Sequence, residues 1–122
     1  MVRPSKDEQR EKRITYEIVV DCYNEIEVAM GWYYYLENNL DFPFEARITR
    51  SMRYNFLSVN DTVTVVSMAE EEECEESMWV TIQTGDSEFD LPLEQIEPID
   101  SIGKAKEAVE DWRYWLDRGY QF

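Results

Sequence analysis

Between Met78 and Leu93, two runs of alternating residues flank Gly85 and Asp86, and this pattern restricts the fold more than any other stretch of the chain. A two-residue Gly-Asp connection suits the tight turn of a β-hairpin. With Thr84 opposite Ser87, Ile82 faces Phe89 and Val80 faces Leu91, whereas Gln83 faces Glu88 and Thr81 faces Asp90. All the apolar pairs fall on one side, so one face of the hairpin requires a core and the other is left to solvent. Upstream, Phe44, Ala46 and Ile48 alternate with Glu45, Arg47 and Thr49, as in a half-buried strand, and Val59, Asn60 and Asp61 turn into the β-branched run Thr62 to Met68. Leu91-Pro92-Leu93-Glu94-Gln95-Ile96 reads as the short 3-10 turn and final strand that close a small SH3-like barrel. The strands predict an antiparallel barrel over about 44–99.

Helices flank this barrel. Ile14, Ile18, Cys22, Ile26, Ala29 or Met30, Tyr33 and Leu36 recur every three or four positions, predicting one long amphipathic helix over about 5–39, with a bend at Gly31. Its outer side carries Glu17, Asp21 and Glu25 at successive i, i+4 spacings; each like-charge pair costs roughly 0.2–0.5 kcal/mol without a counterion. Phe42-Pro43-Phe44 ends the helix. Ser101 is an N-cap for a last helix over about 102–118, with Ile102, Ala105, Val109, Trp112 and Leu116 as its apolar stripe and Gly119 at its end. The fold class is therefore α+β, a single domain with helix, barrel and helix in chain order. The aromatic residues Trp32 to Tyr35, with Trp112, Tyr114 and Trp115, either clamp the helices onto the barrel or form a binding surface; the area each can bury favours the clamp.

Of the 122 residues, 27 are Asp or Glu against 12 Lys or Arg, with no His, for a net charge of −15. With 43% hydrophobic and 14% aromatic residues, the chain is not a disordered acidic tail. Such a charge repels phosphate backbones and anionic bilayers, which excludes nucleic acid and membrane partners and favours cations or a basic protein. Met1 to Arg13 lacks the apolar core of a secretion signal, which predicts a cytosolic protein. Cys22 and Cys74 are far apart and read as free thiols. Without His, or a thiol beside a base, no nucleophile-and-base arrangement can be assembled, so the chain is not expected to be an enzyme.

Calcium takes about six to eight oxygens from carboxylates, amides and carbonyls, the donors this chain has in excess, whereas zinc and copper favour imidazole or thiolate. Asp86, Glu88 and Asp90 lack the glycine of an EF-hand loop and lie on a strand, so an EF-hand is excluded. Three clusters are candidate sites. The first is the acid run Glu70, Glu71, Glu72, Glu73, Glu75 and Glu76, where a loop can fold several carboxylates onto one ion; the alternative is a solvated loop. The second is Glu37, Asn38, Asn39 and Asp41, at a helix C-terminus whose carbonyls attract cations, or simply an Asn-rich cap. The third is the outer hairpin face with Asp86, Glu88 and Asp90, joined by Asp111 or Asp117 if the last helix lies nearby.

Ala29-Met30-Gly31-Trp32-Tyr33-Tyr34-Tyr35-Leu36-Glu37, Leu40-Asp41-Phe42-Pro43-Phe44, Met68-Ala69-Glu70 running to Cys74, Leu91 to Pro98, and Glu110-Asp111-Trp112-Arg113-Tyr114-Trp115 together span nearly all of the chain. In these segments it resembles the cyanobacterial calcium-binding family called CcbP. The resemblance implies reversible sequestration of Ca2+ in the cytosol, with acidic surface clusters as ligands and Glu37 and Asp41 among them. It also implies an acidic residue near the helix end where this chain has Asn38, a substitution that lowers the ligand charge and hence the affinity. Two other readings compete: an SH3-like module whose acidic surface docks a basic protein, and an acidic mimic of nucleic acid.

Overall fold

In the computed structural model, which describes residues 5–50, 57–99 and 103–122, a five-stranded sheet packs against three helices. The strands are β1 (Phe44–Ile48), β2 (Thr62–Met68), β3 (Trp79–Thr84), β4 (Ser87–Pro92) and β5 (Ile96–Pro98), in the order β4-β3-β2-β1-β5 with antiparallel neighbours. The hairpin register is the one read from the sequence, from Thr84 opposite Ser87 to Val80 opposite Leu91. Val80, Ile82 and Leu91 are completely buried, and Gln83 and Glu88 face out. The closed barrel is corrected: among the described residues β4 and β5 are not paired, and the sheet is open. The strand β5 has only three residues and ends in Pro98, which has no N–H to extend a ladder.

The single long N-terminal helix is also corrected. A first helix, α1 (Glu8–Arg13), continues as a π-helical turn (Ile14–Ile18), and residues 19–24 break away before α2 (Glu25–Asn39) begins. Asp21 has a positive φ of 57°, outside helical space. Asn24 Oδ1 accepts from Glu27 N at 2.9 Å, and Glu27 Oε1 accepts from Tyr23 N at 2.9 Å. These paired contacts satisfy N–H groups that begin a new helix, and they defeat the continuous apolar period. In α2 the predicted stripe residues Ala29, Tyr33 and Leu36 are buried and Trp32 joins them, while Ile26 is left 51% exposed. The helix α2 runs through Gly31 without a break. A β-carbon there would lie 2.5 Å from the Ile18 carbonyl oxygen and 3.2 Å from Cys22 Sγ, so glycine allows the first helix to approach the second. Gly31→Ala is expected to destabilise the fold by roughly 1–3 kcal/mol through this overpacking, despite alanine's helix propensity of about 1 kcal/mol. Thermal unfolding checks the sign, and a stabilised variant would refute the close approach.

The last helix, α3 (Lys104–Asp117), begins after Gly103 and stops before Gly119, whose φ is 84°. The proposed cap Ser101 and stripe residue Ile102 lie outside the described residues. Trp112 and Val109 enter the core, where the Trp112 ring meets that of Trp32 edge-on at 5.2 Å. Arg113 donates to the Ile96 carbonyl and to Thr49 Oγ1, tying α3 to β5 and the end of β1. Asp111, 0% exposed, joins three helices: Arg13 forks onto both its oxygens at 2.7 and 2.8 Å, Arg10 donates at 2.7 Å, and the Tyr35 hydroxyl donates at 2.8 Å. The hydrogen bond and charge of Asp111 outweigh burial and raise the Arg13 pKa further above its ordinary value. Among the described residues no helix is long and apolar enough to cross a membrane.

Candidate metal-binding site

The acid run is anchored at both ends. At the end of β2, Ala69 is buried and donates its N–H to the Trp79 carbonyl at 3.0 Å. Glu71–Cys74 form a 3-10 turn, and the fully buried Cys74 Sγ accepts from Trp79 N at 3.4 Å. Because Cys74 points inward, the glutamates around it fan outward. Burial raises the Cys74 thiol pKa, which suits a packing group rather than a reactive one. Both cysteines are free.

From α2, the Tyr34 hydroxyl donates to Glu71 Oε1 at 2.6 Å, and the buried Tyr33 hydroxyl donates to the Ala69 carbonyl at 2.8 Å. The hydrogen bond to Glu71 raises the Tyr34 pKa, with burial and the Glu71 and Glu37 charges adding to it. Glu37 thus lies near enough for its charge to act on Tyr33 and Tyr34, the two residues that hold the run. From the sheet, Asp90 meets Glu73: hydrogen bonding to Asp90 is the main cause of a raised Glu73 pKa, followed by the Asp90 charge, burial, and the Glu70 and Glu72 charges. Thr81 Oγ1 holds Asp90 Oδ1 at 2.6 Å from the neighbouring strand. Two acidic side chains this close disfavour each other's charged form, and a cation between them relieves the repulsion.

The structure therefore joins the first cluster to part of the third. The Glu73–Asp90 contact unites the acid run with the outer face of the hairpin, while Asp86 and Glu88 lie exposed towards the turn. The register explains the meeting, since Trp79, which anchors Cys74, is opposite Pro92, two residues beyond Asp90. Sequence reading placed Asp90 in the third cluster, apart from the acid run, because it could not place the loop. Asp111 is committed to Arg10, Arg13 and Tyr35 and cannot be a ligand. Of the second cluster, Asn39 Nδ2 donates to the Tyr35 carbonyl at 2.7 Å, as in the cap reading, and among the described residues no contact brings Asn38 or Asp41 to the run. Glu75 and Glu76 line a separate cleft with Glu25.

Among the described residues, no three acidic or thiol side chains stand together as a preformed metal cage. The donors are oxygens on a short turn, with Glu73 and Asp90 already in contact and Glu70, Glu71 and Glu72 adjacent. That set fits a hard cation of flexible coordination, with the remaining positions open to water and carbonyls.

The anchor has a pH signature. Burial first, then the charges of Glu37, Cys74 and Glu71, push the Tyr33 hydroxyl from 10.0 up to about 12. The unfolded tyrosine loses its proton first, so the folded state holds more protons between these values and its stability falls as pH rises through that window. Melting temperature is expected to decline from pH 10 to about pH 12, and less steeply in Tyr33→Phe. Parallel profiles would show that Tyr33 does not carry the effect.

A family model described as calcium binding, and named for CcbP, matches residues 12–116. No curated protein matches the chain. Among solved structures, the chain is similar to Anabaena CcbP, with 42% identity over 100% of both chains and a TM-score of 0.89. It is also similar to a calcium binding protein in its calcium-binding form, with 41% identity over 96% of each chain and a TM-score of 0.85.

Proposed function

The chain belongs to the CcbP calcium-binding family, and from that membership we propose that it binds Ca2+ reversibly through Glu70, Glu71, Glu72 and Glu73 together with Asp90, as a cytosolic calcium buffer. The single observation behind this ligand set is the approach of Glu73 to Asp90, where a cation would relieve the repulsion between the two carboxylates. Glu37 adds negative potential from α2. The role is binding without catalysis, in line with a chain that has no His. Anchors at Ala69 and Cys74 support a buffer over a sensor: neutralising the tip of a turn pinned at both ends leaves the core beneath it in place. Sheet order, with a 3-10 turn between β4 and β5, supports an SH3-like lineage in open form.

A second reading, docking of a basic protein, is supported by Glu25, Glu75 and Glu76, which have no ion pair among the described residues.

Calorimetric titration with calcium, then magnesium, in physiological salt tests the main reading. Calcium is also expected to raise the melting temperature beyond sodium of equal ionic strength, because a ligand at ten times its Kd adds about 1.4 kcal/mol to the folded state. Equal rises in the two salts would reduce the effect to screening of self-repulsion and remove the specific site.

A further inference from the structure

Away from the Glu73–Asp90 pair, Trp112, Trp115, Tyr120 and Phe122 wall a cleft of about 370 Å³ that Glu25, Glu75 and Glu76 also line. The rings brace one another: Trp115 lies 5.1 Å from Tyr120, Trp112 lies 5.9 Å from Phe122, and Trp32 backs Trp115 at 5.6 Å. The Tyr120 hydroxyl is fixed by Glu11 Oε2 at 2.9 Å. The aromatic walls are therefore set before any ligand arrives.

Among the described residues the three carboxylates lack a cationic partner, whereas Asp111, Glu107, Glu110 and Glu97 all have one. Calcium fits this cleft poorly, since aromatic carbon stands where a hard ion needs oxygens. An organic cation fits both features, because its charge is attracted to ring faces and to carboxylates alike. A guanidinium fits better than an ammonium: it is planar, stacks on Trp and Tyr, and presents a fork of donors to carboxylates. The chain already makes this contact within itself, with the Arg118 guanidinium 5.6 Å over the Tyr120 ring. The volume lies near the lower end of ligand sites, roughly 300–1,000 Å³, enough for one extended side chain and its flanking backbone.

We propose that this cleft receives an arginine side chain of a partner protein, clamped between the tryptophan-lined wall and Glu25, Glu75 and Glu76. The inference rests on the docking reading above and gives it a location and a residue.

The test uses the full chain and a labelled neutral peptide carrying a single arginine, followed by fluorescence anisotropy at 0.15 M salt. Its lysine counterpart and a free polyamine are run in parallel. Saturable binding of the arginine peptide is expected, several-fold tighter than the lysine peptide or the polyamine. Glu25→Gln/Glu75→Gln/Glu76→Gln and Trp115→Leu should each weaken it tenfold or more. The glutamine variant decides the question if Trp115→Leu fails to fold, since Trp115 also packs on Trp32. Equal weakening by Glu8→Gln/Glu17→Gln/Glu45→Gln would overturn the cleft while leaving diffuse docking of basic proteins intact. Absence of binding by the arginine peptide and by an oligoarginine peptide would overturn both. Stoichiometric displacement of the arginine peptide by calcium that survives Glu71→Gln/Glu73→Gln/Asp90→Asn would give the cleft to the metal and overturn the arginine assignment.

Discussion

Asp111→Ala is expected to destabilise the protein by roughly 3–5 kcal/mol, because it removes the buried member of an ionic cluster and leaves Arg10 and Arg13 only their longer pairs with Asp7, Glu110 and Glu107. Arg10 and Arg13 would each lose a 2.7 Å contact, with side chains only 23% and 19% exposed, and the Tyr35 hydroxyl would lose its acceptor. These contacts hold α1 against α3 and α2, so the loss should fall first on the N-terminal helix. Asp111→Asn keeps the shape but offers an amide where two guanidiniums need negative charge, and it should recover only part of the loss. A drop of this size corresponds to roughly 10 °C or more in melting temperature for a domain of this length. Hydrogen exchange should show residues 8–18 opening before the sheet. A melting temperature within a few degrees of the parent would mean the cluster is electrostatically neutral overall, as some buried ion pairs are.

That cluster was not legible in the sequence, although its members were. Nothing in the local pattern around Asp111 separates it from Glu107 or Glu110, one helical turn or less away, yet the first is completely buried and the others are exposed. The difference comes from α1 lying across α3, and this depends on the break at residues 19–24. The break itself carried a signal, Asn24 followed three residues later by Glu27, which competed with a strong apolar period. Periodicity found both helical stretches but not the break between them, and after the break it placed Ala29, Tyr33 and Leu36 correctly, put Ile26 inside and omitted Trp32. The hairpin, by contrast, was legible to the residue, because alternation with a two-residue turn fixes pairing without tertiary information. Closure of the barrel was not, since it depends on how far β5 extends.

The site was legible as chemistry and only partly as geometry. An oxygen-rich chain without His pointed to a hard cation from composition alone. Which carboxylates meet depends on the anchor of Cys74 to Trp79, a contact between a buried thiol and a backbone that no acidic motif announces. Once Cys74 is pinned, the acid run divides, with Glu71 turned towards Tyr34, Glu73 towards Asp90, and Glu75 and Glu76 towards the aromatic cleft.

This division makes the calcium proposal testable residue by residue. Glu71→Gln/Glu73→Gln/Asp90→Asn retains side-chain size and removes three charges from one side of the turn, so calcium affinity is expected to fall roughly tenfold or more. The charge-matched control is Glu8→Gln/Glu17→Gln/Glu45→Gln; all three residues are exposed, whereas Glu11 holds Tyr114 and Tyr120, and Glu107 and Glu110 pair with Arg13 and Arg10. At 0.15 M ionic strength charges act over about 8 Å, so a local site should feel the first set and barely the second. Folding should be unchanged or slightly improved in the first variant, because Glu73 and Asp90 no longer repel. Since hydrogen bonding to Asp90 raises the Glu73 pKa, protons should compete with calcium at Glu73 as pH falls, before they reach isolated glutamates. The variant lacking the pair should lose that extra acid sensitivity along with its affinity. If both variants weaken calcium equally and share one pH profile, binding belongs to the acidic surface as a whole, and the Glu73–Asp90 pair has no special part in it.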